Sequence, residues 1–79
     1  MKIYEYNGKA NIVGEKIYEF RKQQKLSQEE LAAKMQLNNI EISQKGISRI
    51  EKRERFVTDY ELLVFSKVLD VNIYELLEP

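Results

Sequence analysis

The chain has a single proline, at its last position, and only three glycines, Gly8, Gly14 and Gly46. No proline ring interrupts a helix, so the divisions between elements must come from capping residues. Ser27, Ser43, Thr58 and Asn72 each precede a segment whose apolar residues recur at helical spacing. That pattern predicts an all-α fold of five helices.

The first helix takes its inner face from Val13, Ile17, Phe20 and Gln24, with Glu15, Lys16, Glu19, Lys22 and Gln23 outside, and ends near Lys25. The second opens at SQEE, where Ser27 and Glu30 have the spacing of a capping box, and turns Leu31, Ala32 and Met35 inward. A connection, QLNNIEI, places Asn39 at a left-handed stop and leaves Ile40 or Ile42 to plug the core. The third helix, about 44–52, has Ile47 and Ile50 inward and Gln44, Lys45, Ser48, Arg49 and Lys52 outward. Leu62, Phe65, Ser66 and Leu69 mark the buried stripe of a fourth, and Ile73, Leu76 and Leu77 that of a short fifth. Leu63 also counts as core on its apolarity.

Residues 1–11 do not fit a helix. They alternate loosely around the turn-forming pair Asn7-Gly8 and read as an extended arm or small hairpin ahead of one domain, 12–79. The tyrosines at 4, 6, 18, 60 and 74 read as packing on the helices or at a subunit interface.

With neither cysteine nor histidine, the chain offers no disulfide, no thiolate and no imidazole, so an enzyme, a metal site and a cofactor are not expected. Glu29 and Glu30 suit capping and the helix dipole rather than acid/base work. No segment is long and apolar enough for a signal peptide or a membrane span, and a cytoplasmic protein is expected.

Thirteen basic residues balance thirteen acidic ones, but the distribution is uneven. Residues 44–55 hold five cations against two acids, and residues 58–79 one cation against five. From charge alone, the basic stretch reads equally as a solvated surface or as a polyanion contact. The order of elements favours the contact. A capped helix with a small residue, Ala32, at its packing face, followed by a capped helix with a polar first turn, makes a helix-turn-helix candidate.

LSQEELAAKM, ISQKGISRIEKRER and TDYELLVFSKVLDVNIYELLE, in that order, resemble the phage-repressor or Xre-type helix-turn-helix family over about residues 12–78. The resemblance implies a five-helix, lambda-repressor-like DNA-binding domain that regulates transcription as a homodimer on a two-fold operator. It assigns base reading to Gln44, Lys45, Ser48 and Arg49. Phosphate contacts fall to Gln28, which would also brace the third helix, and to Ser43, Lys52, Arg53 and Arg55. It further implies an internal ion pair between Arg21 and Glu51. Two departures stand out: the link between the second and third helices is longer than the family's usual turn, and Arg53 stands where the family commonly has glycine. A competing reading is a protein-interaction module, such as an antitoxin or adaptor, with a protein partner in place of double-stranded DNA.

Overall fold

Side-chain oxygens at Ser27, Ser43, Thr58 and Asn72 accept the backbone amides of Glu30, Gly46, Glu61 and Tyr74, and each of the four residues starts a helix. In this computed structural model, which describes residues 5–78, the helices are α1 (Gly14–Gln23), α2 (Gln28–Leu37), α3 (Gln44–Glu51), α4 (Asp59–Val68) and α5 (Ile73–Leu77). At α2, α4 and α5 the third helical residue is a glutamate whose carboxylate returns to the cap's own amide, completing a capping box.

The ends of α1 to α4 share one device. In each, a residue just past the helix adopts a left-handed backbone: Lys25 (φ 58°), Asn39 (φ 65°), Arg53 (φ 62°) and Asp70 (φ 54°). The following amide reaches back to close the last turn, Leu26 to Arg21, Ile40 to Met35, Glu54 to Arg49 and Val71 to Ser66. This is the Schellman arrangement, built four times without glycine. The expected left-handed stop at Asn39 is one of four. α1 accordingly ends two residues before Lys25.

Every helix contributes at least one fully buried side chain to a single core: Ile17 from α1, Leu31 and Met35 from α2, Ile47 and Ile50 from α3, Phe65 and Leu69 at α4, and Leu76 from α5. Each such side chain stabilises the fold by roughly 1.5–3 kcal/mol. The packing of α3 against both α1 and α2 fixes which of its faces is free.

The link from α2 to α3 is long but anchored. Ile40 and Ile42 are both buried, where one was expected, and the Gln36 side chain donates to the Ile42 carbonyl at 2.9 Å. Two apolar expectations, at Leu63 and Leu62, are corrected. Leu63 is exposed, because the α4 residues turned inward are Glu61, Phe65 and Ser66, and Leu63 falls between those rows. Leu62 is only half-buried at the edge of the core; on α5, Leu77 packs against the core as expected, and Ile73 is half-buried. Tyr6, Tyr18, Tyr60 and Tyr74 are exposed in the single chain, the Tyr18 ring lying 5.3 Å from the Arg21 guanidinium, and Tyr4 lies outside the described residues.

Of the arm, residues 5–11 are described. Tyr6 and Lys9 exchange backbone hydrogen bonds of 2.7 and 3.0 Å around Asn7 (φ 51°) and Gly8 (φ 79°), a tight turn with both central residues left-handed. The hairpin then docks, since the Ala10 amide donates to the Arg53 carbonyl at 3.1 Å.

Candidate nucleic-acid interface

Ile47 and Ile50 have no exposed surface, and burying them turns the opposite side of α3 to solvent. Lys45, Arg49 and Lys52 stand at intervals of four and three residues and are all exposed, so they form one cationic row. Gln44 is exposed and Ser48 half-buried at the side of that row.

The start of α3 differs from the other four. The first turns of α1, α2, α4 and α5 each carry at least one acid, Glu15, Glu29 with Glu30, Asp59 with Glu61, and Glu75, whereas that of α3 carries none. A helix amino terminus has unpaired amides and the positive end of the macrodipole, and an acid in the first turn offsets both. At α3 that partial positive charge is left for something outside the helix. Ser43 satisfies the Gly46 amide at 3.2 Å, which leaves its hydroxyl proton available.

Behind the exposed face runs a chain of polar contacts into the interior. Gln44 Nε2 donates to Gln28 Oε1, and Gln28 Nε2 donates to Glu51 Oε1 at 2.9 Å. Glu51 in turn receives Arg21 Nε at 2.7 Å and Arg21 Nη2 at 3.0 Å, while Arg21 Nη1 donates to the Leu26 carbonyl at 2.8 Å. Arg21 and Glu51 form a fork-to-fork pair with side chains only 8 % and 6 % exposed, which joins α1 to the end of α3. The hydrogen bonds to Glu51, opposed by burial, hold the Arg21 guanidinium above its already high ordinary pKa. Gln28 therefore links the start of α3 to its end.

Lys52 caps α3 and is free on the surface, but Arg53 and Arg55 are engaged within the protein. Arg53 Nε donates to the Asn11 carbonyl at 2.8 Å. Arg55 makes a two-pronged contact with Glu61 at 2.9 and 3.2 Å. Each guanidinium retains donors beyond those bonds. Burial pushes the Glu61 carboxyl up, but the hydrogen bond from Arg55 and the amide of Thr58 together outweigh it and bring the carboxyl below the ordinary glutamate value.

Two residues that sequence reasoning passed over support this face, Asn11 and Gly14. Asn11 is buried and its Oδ1 accepts the Gly14 amide at 2.8 Å, supplying the start of α1 that Val13 does not. The sequence ANIVG held only a weak signal: Asn11 lies three residues before the amide it accepts, as a side-chain cap does, but two residues ahead of Val13, where a cap would be sought. Among the described residues no group of histidine, cysteine, aspartate or glutamate could hold a metal ion, and no helix is long and apolar enough to cross a membrane.

In comparison with known proteins, a family model described as helix-turn-helix matches residues 17–76. No curated protein and no solved structure matches the chain.

Proposed function

We propose, for a chain that belongs to the Xre-type helix-turn-helix family, that it is a sequence-specific regulator of transcription that reads double-stranded DNA as a homodimer on a two-fold operator. Its family is one of DNA-binding domains, and the finer reading is which residues do the binding. The observation that carries it is the free side of α3: a row of exposed Lys45, Arg49 and Lys52 on the one helix whose first turn has no acid.

A helix inserted by its amino terminus into the roughly 12 Å wide major groove presents the side chains of its first two turns to base edges. Gln44 can bond adenine through its amide, Lys45 and Arg49 can reach the acceptors of guanine, and Ser48 can serve either base. Ser43, Gln28 and Lys52 would take phosphates, with Arg53 and Arg55 contributing the donors not spent internally, and such contacts set register without reading sequence. A two-fold operator requires half-sites about one helical turn, roughly 34 Å, apart.

Selection of bound duplexes from a random pool, followed by titration of the recovered sequence at several salt concentrations, tests the reading. A palindromic consensus and an affinity that falls steeply with salt are the expected results. An affinity indifferent to salt, or recovery of no consensus, overturns it. The exposed Leu37, Tyr60, Leu63 and Tyr74 favour a second reading, a protein-interaction module. Its mark would be a protein partner that protects the segments bearing Leu37, Tyr60, Leu63 and Tyr74 from exchange while no DNA is bound.

A further inference from the structure

The side chain of Asn11 bonds three separate segments. Its Oδ1 accepts from the Gly14 amide at 2.8 Å, and its Nδ2 donates to the carbonyls of Ile50 at 3.1 Å and Arg55 at 2.7 Å. Its main-chain carbonyl accepts Arg53 Nε at 2.8 Å, and the neighbouring Ala10 amide bonds the Arg53 carbonyl at 3.1 Å. A residue needed only to start α1 would use Oδ1 alone. Here both amide protons go to carbonyls 39 and 44 positions away, on either side of the left-handed Arg53.

That placement matters because α3 leaves through a backbone conformation that side-chain-bearing residues rarely adopt. No glycine eases the turn, so the exit is held from outside, by Asn11 on two carbonyls and by Ala10 on a third. Lys52, Arg53 and Arg55 sit on that exit. We propose that Asn11 is a positioning residue for DNA binding: by clamping the carbonyls of Ile50 and Arg55, it fixes the direction in which the cations at 52, 53 and 55 leave the reading helix. The spacing between the base-reading row and the phosphate-contacting cations is then set by a side-chain amide that bonds main-chain carbonyls and none of the charged groups. This inference rests on the DNA-binding reading above.

Two substitutions separate the clamp from the cap. Asn11→Asp and Asn11→Ser both keep an oxygen for the Gly14 amide and both remove the two Nδ2 bonds. In the free protein, hydrogen exchange at the Arg53 and Glu54 amides, which bond Ile50 and Arg49, is expected to rise at least tenfold in either variant. On the selected duplex, at a temperature where the variant is folded, the salt slope is expected to fall by about one to two phosphate contacts. Affinity for the selected sequence should fall more than affinity for random DNA. Ile73→Ala, at a half-buried residue of α5 that takes part in none of these hydrogen bonds, serves as a control for stability alone and should leave the slope unchanged.

A folded variant with the wild-type slope and wild-type exchange at Arg53 and Glu54 overturns the proposal. Should neither variant fold, the wild-type protein decides: protons of the Asn11 side-chain amide that exchange as fast as those of a free asparagine overturn it, and protected ones support it. If the wild-type protein binds no DNA, the functional reading fails by itself, and the exchange data still judge the clamp.

Discussion

Gly14 and Ile50 meet backbone to backbone: a Cβ built on Gly14 would overlap the Ile50 carbonyl oxygen. The same oxygen accepts from the Asn11 side chain and from the Arg53 amide, so it cannot retreat without breaking the exit of α3. Gly14→Ala replaces a poor helix former with the best one, which in an open helix would gain up to about 1 kcal/mol. Overlap with a fixed carbonyl outweighs that gain, and a net loss of about 2–3 kcal/mol is expected from urea unfolding. A neutral or stabilising result would show that α1 and α3 can separate freely here.

The four left-handed helix ends make a graded prediction. An L residue in this region costs roughly 1–2 kcal/mol, less for asparagine and aspartate, whose short polar side chains bond locally. Lys25→Gly is therefore expected to raise stability by about 0.5–1 kcal/mol, Asp70→Gly by less, and Asn39→Gly by little or nothing. Urea midpoints of the three variants check the order. Arg53→Gly is the exception, because the relief in backbone strain is offset by loss of the bond from Arg53 Nε to Asn11.

The reasons the sequence shows some of this and hides the rest are local. The caps at Ser27, Ser43, Thr58 and Asn72 are readable because cap and amide donor lie three residues apart or closer, and the inward Ile47 and Ile50 because a helix repeats at a fixed period. From these two facts alone, the exposed row on α3 follows. Asn11 was not readable in its full role, since its partners at Ile50 and Arg55 are distant in sequence and are main-chain carbonyls, which carry no residue type. The pair of Arg55 with Glu61 was unreadable for a related reason: only the fold brings the two side chains together and buries the carboxylate.

Arg21 and Glu51 are buried together, so a single substitution leaves a desolvated charge. Arg21→Met or Glu51→Leu alone should cost about 3–5 kcal/mol, and the double variant less than the sum. A double-mutant cycle by chemical unfolding measures the coupling. Additive losses would mean that water already reaches the pair. Glu51→Leu has a second consequence, because Gln28 loses the acceptor that orients it toward Gln44.

Stability should fall in acid through Glu61. Its folded pKa lies below the ordinary 4.5, so the unfolded chain takes up the proton first as pH falls. The ion pair with Arg55 therefore contributes fully above pH 4.5 and is lost as pH drops through the lower, folded value. Glu30, lowered by the backbone and hydroxyl of Ser27, acts in the same direction at the surface. Urea titrations between about pH 6 and pH 3 should show stability declining with pH, and Glu61→Gln should flatten that decline. An unchanged slope in the variant would mean that other carboxylates carry the acid response.

Arg49 and Lys52 lie three residues apart on the same exposed row, yet the docking proposed for α3 gives them different work. Arg49 lies within the second turn, close enough to a groove floor for its fork to meet guanine; Lys52 caps the helix, at the level of the backbone. Arg49→Ala should cost about 1–3 kcal/mol on the selected sequence, with much less effect on random DNA, and should relax preference at one base pair. Lys52→Ala should weaken both kinds of DNA by similar factors and lower the salt slope by about one. Titrations of the two variants against selected and random duplexes at three salt concentrations separate these patterns. If Arg49→Ala behaves like Lys52→Ala, α3 lies along the phosphates rather than in the groove, and the base-reading role of its outward residues is wrong.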